Sequence, residues 1–258
     1  MDIYQHYRSE EHPFIDRVLS LKDQVERSYQ SIVTDFLDPR EQQIFSMLID
    51  TANSELTMQL FGGGRYSERK RAIIAPSYEE IEQNDFGVIL LQATYHEKFV
   101  TLSHPDVMGA FLSLGLDRKK LGDIVVQDGL IQMLVADEIS AYVLTNLTSI
   151  KKSTIKLTNR PSSDLIEKEL NWAEEDKLVS SMRLDSIIKE IYSISRQAAS
   201  DGITKKLVKV NYRIVEDRSF TVQENDLISF KGKGRSKLER VNGMTKKDKF
   251  KITIAKLK

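Results

Sequence analysis

The sequence contains no cysteine among its 258 residues. It therefore has no disulfide, no thiol nucleophile and no cysteine-based metal centre, which is typical of a protein from a reducing compartment, so we expect a cytoplasmic protein. The four histidines include no pair spaced as zinc ligands on a helix, so we expect no metal site. No uncharged apolar run approaches the roughly 18 residues that a membrane span needs, and no basic segment leads into an apolar one at the start. Neither export nor a membrane partner is expected.

Catalytic motifs are missing as well. The glycines Gly62-Gly63-Gly64 are not followed by the Gly-Lys-Ser/Thr of a phosphate-binding loop, and Gly232-Lys233-Gly234 lacks the third glycine of a dinucleotide-binding motif. Neighbouring carboxylates such as Glu79-Glu80 lie in charged stretches, where solvation is the ordinary explanation. The sequence predicts no catalytic residue, no cofactor and no small-molecule substrate.

Charge of both signs is abundant but unevenly distributed. The formal net charge is zero, with 38 Lys and Arg against 38 Asp and Glu. Residues 181–258 nevertheless carry 19 basic against 9 acidic residues, a net charge of +10, which leaves −10 for residues 1–180. A basic end on an acidic body is expected of a protein that binds a polyanion at one end, although a solvated lysine-rich surface explains the charge alone equally well.

The N-terminal region reads as helical with a hairpin. Apolar residues recur at helical spacing from Phe14 to Leu21, and Asp38-Pro39 before a second apolar pattern predicts a capped second helix. Residues 55–61 and 69–75 read as strands around the glycine-rich connection. The cations of that connection, Arg65, Arg69, Lys70 and Arg71, either contact RNA or form a solvated hairpin tip, and the tip is favoured.

The central region alternates strands and helices at short intervals. Strands are predicted over 87–93, 123–127, 130–135 and 153–157, and helices over 105–114 and 137–147. This β-α-β-β-α-β order is the ferredoxin-like arrangement of RNA-recognition domains. The strand 130–135 contains no aromatic residue on which a base would stack, so we do not expect this sheet to read bases.

The whole chain is therefore predicted to be α+β, in four parts. These are a helical N-terminal region with a β-hairpin (1–80), a ferredoxin-like domain (81–160), a linker (161–180) and a basic C-terminal domain (181–258). Pro, Ser and acidic residues replace apolar periodicity over 159–180, which favours a linker with a short helical piece.

The basic C-terminal domain reads as two short helices against a small sheet. Leu184, Ile187, Ile188 and Ile191 share one helix face, with Arg183 and Asp185 at the first turn. Ser195 is a suitable N-cap for a second helix that would leave Arg196 pointing outward. Strands are predicted over 207–211 and 227–230. Two helices on such a sheet would leave five cations on one exposed surface: Arg183, Arg196, Lys205, Lys206 and Lys209.

These residues resemble a known RNA-binding domain. The pattern consists of Arg183-Leu184-Asp185, Ser195-Arg196, Ala199, Ile203, Val208-Lys209-Val210-Asn211, Val222, Asp226 and Ile228. It is similar to the domain named after small-subunit ribosomal protein four, also called the alpha-L motif. The family usually has glycine where Lys206 and Asn225 stand here. Asn tolerates left-handed turns, whereas Lys does so less readily.

The resemblance extends beyond this domain to the bacterial YlmH family. It is carried by Phe36-Leu37-Asp38-Pro39-Arg40-Glu41, Glu68-Arg69-Lys70-Arg71-Ala72, Gly109-Ala110, Leu114-Gly115, Leu121-Gly122-Asp123-Ile124, Tyr212 and Lys231-Gly232-Lys233-Gly234-Arg235. It implies a non-enzymatic, ribosome-associated protein that holds ribosomal RNA or transfer RNA on the large subunit and acts in quality control of stalled translation. The alternative is an RNA-modifying enzyme that uses the same domain to dock, because such enzymes also carry it.

Arg and Lys side chains and helix N-termini are expected to bind phosphates of folded RNA by its shape. Arg183 and Arg196 are the primary candidates, against the alternative that each is a surface arginine paired with an acid. Asp185 is expected to be a helix-terminus residue or an orienting residue, which is favoured over a direct RNA contact, and Asn211 either contacts RNA or caps a turn. The full set of predicted contacts is Arg183, Ser195, Arg196, Lys205, Lys206, Lys209, Asn211, Arg213, Lys231, Lys233 and Arg235.

Overall fold

The computed structural model describes residues 3–49, 55–167 and 171–257. The chain divides into two compact units, residues 1–168 and residues 169–258. Each unit has hydrophobic cores of its own, and the mixture of helices and sheets confirms the predicted α+β class. Within the described ranges no helix is long and apolar enough to cross a bilayer.

The first unit begins with the two predicted helices. They are α1 (His12–Ser28) and α2 (Pro39–Leu48), and they bury Ile15 and other apolar residues of their facing sides in one core. Helix α2 begins at a capping box, because the Asp38 carboxylate accepts a hydrogen bond from the Glu41 backbone N–H at 2.8 Å and the Glu41 side chain accepts one from Asp38. The Asp-Pro signal in the sequence therefore marked a real helix start.

A three-stranded sheet follows these helices. Its strands are β1 (Ile32–Val33), β2 (Leu56–Phe61) and β3 (Arg71–Pro76), in the order β1-β3-β2 with antiparallel pairing. Strands β2 and β3 form the predicted hairpin around the glycine-rich connection. All six residues of β3 are buried, since β3 is the central strand.

The rest of the first unit is the predicted ferredoxin-like domain. Its elements are β4 (Val88–Thr94), α3 (His104–Leu112), β5 (Leu121–Gln127), β6 (Leu130–Ala136), α4 (Asp137–Asn146), β7 (Ser149–Ile150), β8 (Ser153–Thr154) and β9 (Thr158–Arg160). The sheet order β5-β6-β4-β9 is that of a β-α-β-β-α-β fold with all neighbours antiparallel. Strands β5 and β6 join at Asp128-Gly129, both with positive φ, which is the expected geometry for a two-residue hairpin.

The last strand of this domain was predicted five residues too early. The sequence favours a strand over 153–157, but Ser153–Thr154 instead pairs with Ser149–Ile150 in a small separate hairpin. Lys151 adopts a left-handed conformation at the turn of that hairpin. The edge strand of the main sheet is consequently Thr158–Arg160.

The second unit packs two helices on a six-stranded antiparallel sheet. Its elements are β10 (Trp172–Val179), α5 (Leu184–Tyr192), α6 (Arg196–Thr204), β11 (Val208–Val210), β12 (Arg213–Ile214), β13 (Leu227–Phe230), β14 (Gly234–Met244) and β15 (Phe250–Leu257). The order is β10-β15-β14-β13-β11-β12. The four apolar residues predicted for one face of α5 are all fully buried against Ile228 and Ile254 of the sheet.

Strand β10 corrects the secondary structure expected for 159–180. The short helical piece expected there is instead a brief 3₁₀ turn at Ser162–Asp164, and Trp172–Val179 is a strand whose eight residues all pair with β15. Its acidic residues hid the strand from sequence patterning, because an edge strand can gain its order from backbone pairing without alternating apolar residues. The division into four domains stays a prediction.

Candidate nucleic-acid interface

One buried carboxylate holds the two principal arginines of the basic domain. Arg183, at the N-cap of α5, donates from Nε and Nη2 to the two carboxylate oxygens of Asp185, at 3.0 Å each. Arg196, the first residue of α6, brings Nη2 to 3.5 Å from the same carboxylate. The Asp185 side chain is 4% exposed, whereas those of Arg183 and Arg196 are 42% and 70% exposed. The carboxylate is therefore an internal anchor for two outward-facing guanidinium groups.

The cluster of Asp185, Arg183 and Arg196 keeps a net positive charge at neutral pH. Burial opposes ionisation of Asp185, but the hydrogen bond from Arg183 and the charges of Arg183 and Arg196 outweigh burial and hold the pKa of this carboxyl below its usual range. The hydrogen bond to Asp185 raises the pKa of Arg183 in turn. Two guanidinium groups on one carboxylate leave one net positive charge. Arg183 and Arg196 are thus paired with an acid, as the alternative to an RNA contact required, but they also form an exposed cationic surface.

The helix starts beside these arginines are capped within the protein. The Ser195 hydroxyl oxygen accepts a hydrogen bond from the Ala198 backbone N–H at 3.0 Å, so Ser195 is the predicted N-cap of α6. Arg218 lies at the same end of the domain, where its Nη1 donates to the Ser200 hydroxyl at 3.0 Å and its carbonyl accepts from the Asp185 N–H. The sequence did not predict Arg218 at this surface, because it stands in a loop outside any motif and only contacts distant in sequence bring it here.

Four predicted lysines gather at the other end of α6. Lys205 and Lys206 follow the helix directly, and the Lys231 backbone N–H donates to the Leu207 carbonyl at 2.9 Å, which brings the β13–β14 turn with Lys231 and Lys233 alongside. All four are exposed, and Lys206 also pairs with Glu216 at 2.9 Å. Since α6 has nine residues, this lysine cluster lies about 13 Å along the helix from Arg196.

The two departures from glycine occupy positions that favour glycine. Lys206 has φ of 59° and Asn225 has φ of 69°. Asn accepts this left-handed conformation readily, whereas a lysine there costs roughly 1 kcal/mol. The turns keep the backbone shape that glycine permits, and Lys206 supplies a second cation beside Lys205.

Lys209 does not share a surface with the helices, contrary to the sequence interpretation. Val208 and Val210 point into the core beneath α5 and α6, and successive side chains of a strand point to opposite faces. Lys209 therefore lies on the open face of the sheet. Arg235 lies there too, because it pairs with Ser229, which pairs with Lys209.

Asn211 holds the turn between β11 and β12 in place. Its Nδ2 donates to Asp226 at 2.7 Å, and its Oδ1 accepts from the Leu227 backbone N–H at 2.9 Å. Asn211 could contact RNA or cap a turn, and the structure shows it capping the turn. Arg213 follows this turn on β12 and is exposed.

The sheet of the ferredoxin-like domain is covered on both faces. Helices α3 and α4 pack on one face, and on the other Phe36 and Leu165 pack against Leu90 and Leu134. Gln132, also on that second face and 1% exposed, donates to the Asp164 carbonyl at 2.7 Å and accepts from the Ile166 N–H at 2.8 Å. The face on which related domains stack RNA bases is thus occupied by the chain itself.

The glycine-rich hairpin is not simply a solvated cationic tip. Arg69 and Arg71 are buried, with Arg69 donating to the Phe36 carbonyl at 2.7 Å and Arg71 to the Thr34 carbonyl at 2.7 Å. Only Arg65 is fully at the surface, beside Tyr66. Arg69 and Arg71 therefore join segments of the first unit and are not available for RNA.

No group of three His, Asp or Glu side chains that could hold a metal ion occurs within the described part of the chain.

Comparisons with known protein families cover most of the chain. A model described as the N-terminal domain of YlmH matches residues 10–79, one described as a putative RNA-binding domain in YlmH matches residues 81–164, and the S4 domain model matches residues 182–228. The last match contains the Asp185-anchored arginines and α6.

Two individual proteins resemble the chain. The ribosome-associated protein quality control protein P2 of Bacillus subtilis (strain 168) is 38% identical over 257 residues, which cover 100% of this chain and 99% of the relative. The solved structure of the cell division protein ylmH from Streptococcus pneumoniae matches with a TM-score of 0.54 and 29% identity, over 64% of this chain and 99% of that one.

Proposed function

This chain belongs to the YlmH family, and we propose that it is a non-enzymatic RNA-binding protein that associates with the ribosome. The observation that carries the proposal is the Asp185 carboxylate with its two exposed arginines. A guanidinium group fixed on one side by a carboxylate presents its remaining N–H groups in a set direction, so less side-chain entropy is lost when it binds a phosphate.

The positions of the cations favour folded RNA over a sequence-specific site. Arg196 and the lysine cluster at Lys205 and Lys206 stand at opposite ends of α6, about 13 Å apart by the rise of a nine-residue helix. Cations at fixed separations select the spacing of phosphates on a folded backbone, and phosphate contacts carry no base sequence. The proposed ligand is therefore ribosomal RNA or transfer RNA recognised by shape.

We propose further that the protein binds on the large ribosomal subunit and acts in the quality control of stalled translation. The support is the near full-length similarity to the B. subtilis protein, whose name states ribosome association and quality control. The RNA-binding surface would then hold the protein on the subunit, while the acidic first unit is free for other contacts.

Co-sedimentation of the full chain with separated ribosomal subunits tests this proposal. We expect Arg183→Glu with Arg196→Glu to reduce association at least tenfold at moderate salt, because two charge-assisted contacts become repulsive. The matched control is Arg17→Glu with Arg27→Glu, which changes the net charge equally on exposed arginines of the first unit, and association should stay within about twofold.

Unchanged association of the Arg183 and Arg196 variant would overturn the site assignment. Preference for the small subunit would refute the large-subunit proposal alone. The same purified protein, incubated with ribosomal RNA, should leave no new modification, and reproducible modification would favour the RNA-modifying alternative.

A further inference from the structure

The open face of the second unit's sheet carries a row of residues distinct from the helix N-termini. Cross-strand pairing places Ile214, Lys209, Ser229 and Arg235 side by side on four neighbouring strands. Directly paired residues of antiparallel strands project to the same face. Lys209 and Ile214 are exposed, and they face away from the core that the helices cover. The row is therefore a cationic surface with an apolar end.

An aromatic ring contacts this row through Arg235. The Arg235 guanidinium carbon lies 5.9 Å from the centroid of the Tyr212 ring, and Arg235 Nη2 donates to the Tyr212 hydroxyl at 3.3 Å. A cation within about 6 Å of a ring centroid is attracted by the ring face. Tyr212 is half-buried, so its position on this face is fixed by packing as well as by Arg235.

The backbone places Tyr212 at the turn of a hairpin. Asn211 and Tyr212 have φ of 47° and 68°, the positive values that both central residues of a two-residue hairpin turn adopt, here between β11 and β12. The Asn211 amide makes two hydrogen bonds, to Asp226 and Leu227, that attach this turn to the rest of the domain. Tyr212 is therefore held at the end of the β11–β12 hairpin, beside Arg235.

The acidic residues of the face lie at one edge of the sheet. Lys209, Arg235 and Lys237 occupy β11 and β14, whereas Glu174 and Asp176 lie on the same face at the β10 edge, as their pairing through Ala255 and Thr253 shows. Arg240, opposite Thr253, lies 3.6 Å from Glu174, so acids and cations offset one another at that edge. A polyanion on this face is therefore attracted mainly to the Tyr212 end, where cations are in excess.

We propose that this face binds unpaired nucleotides of RNA, with one base stacked on Tyr212 and the flanking phosphates on Lys209 and Arg235. Aromatic side chains beside cations on an open sheet face are the means by which proteins bind single-stranded RNA. Bases inside a duplex are stacked on one another and do not offer a face to the ring. The inference rests on the proposed RNA-binding function and adds a second contact for RNA next to its folded part.

Binding of the full chain to two fluorescent RNAs tests the inference. One RNA is a blunt hairpin, and the other has the same stem with a short single-stranded extension that contains 2-aminopurine, whose emission changes on stacking. We expect the extension to increase affinity and to change the emission. Tyr212→Ala should lower affinity for the extended RNA about fivefold or more and abolish the emission change, while binding to the blunt hairpin stays as in the wild type.

Three further variants separate stacking from folding and charge. Tyr212→Phe keeps the ring and should retain binding and emission change, and Arg235→Lys keeps the charge but loses the planar contact with the ring, so its emission change should be smaller. Tyr78→Ala, at an exposed tyrosine of the first unit, should have no effect. The thermal midpoint of each variant verifies its folding.

Each outcome bears on one proposal or both. Wild-type binding to both RNAs with equal affinity and no emission change would overturn this inference while the proposed function stands. A loss of affinity for both RNAs in Tyr212→Ala would also overturn it. Wild-type protein that binds neither RNA would overturn the proposed function and this inference together.

Discussion

At the scale of single residues, a buried acid organises the proposed RNA-binding surface of the basic domain. Asp185 is almost completely buried and binds Arg183 at 3.0 Å through both of its oxygens. A carboxylate in a surface that binds polyanions is unfavourable by charge alone. Its value lies in geometry, because it fixes two flexible cations whose side-chain entropy would otherwise be lost on binding RNA.

Replacing Asp185 therefore separates the effect of arginine orientation on RNA affinity from the effect of net charge. Asp185→Asn adds one positive charge to the protein but removes the ionic anchor, and we expect RNA affinity to fall about fivefold. The control Asp248→Asn adds the same charge at an exposed turn and should leave affinity unchanged or slightly raised. The affinity of each variant for the blunt RNA hairpin measures the effect. An increase in affinity for Asp185→Asn would mean that net charge outweighs orientation.

At the scale of secondary structure elements, α6 approaches the sheet through a glycine. A Cβ atom built on Gly202 would lie 2.4 Å from the ring carbon Cζ of Phe230 on β13. The ring of Phe230 in turn contacts Tyr192 of α5, with centroids 5.6 Å apart. Gly202 thus sets how closely α6 packs on the sheet, and with it the position of Arg196.

Gly202→Ala should destabilise the protein by about 1 to 3 kcal/mol, because the added methyl group overpacks this contact. Gly109→Ala in α3 is the matched control, since nothing lies within 4 Å of the added Cβ and alanine favours a helix. That change should stabilise the protein by up to about 1 kcal/mol. Free energies of unfolding from urea titrations test both. A stabilised Gly202→Ala would show that α6 can shift away from Phe230 without cost.

At the scale of the whole molecule, a neutral protein contains two oppositely charged parts. Residues 181–258 have a net charge of +10, and the remainder has −10. The salt dependence of RNA binding should therefore reflect the second unit, since released counterions come from phosphates that meet its cations.

The slope of log affinity against log salt is expected to be near −4 for about five phosphate contacts. Neutralising Arg183 and Arg196 to Gln should make the slope shallower by about 1.5 to 2. Lys22→Gln with Arg27→Gln on α1 removes the same charge from the first unit and should leave the slope unchanged. Titrations over a salt series distinguish these results, and equal slopes for the two double variants would show that net charge alone governs binding.

Local patterns determined much of the architecture. The helix faces of α1 and α5, the Asp38 and Ser195 caps, the β2–β3 hairpin and the order of the ferredoxin-like elements all follow from residues close in sequence. Periodicity and capping are properties of short segments, so they can be inferred without the fold. The segregation of charge indicated which end of the chain would bind a polyanion.

The tertiary structure decided how those segments are used. Whether Arg69 would be free or buried depended on Phe36, more than thirty residues away, and whether the ferredoxin-like sheet would be open depended on Leu165. Strand β10 exists because β15 pairs with it across about eighty residues. Such contacts join residues with no local signal in common, because folding rewards the summed burial and pairing of distant segments. The sequence by itself thus identified the cations of the basic domain, while only the fold distributed them between the Asp185 anchor, the end of α6 and the open face of the sheet.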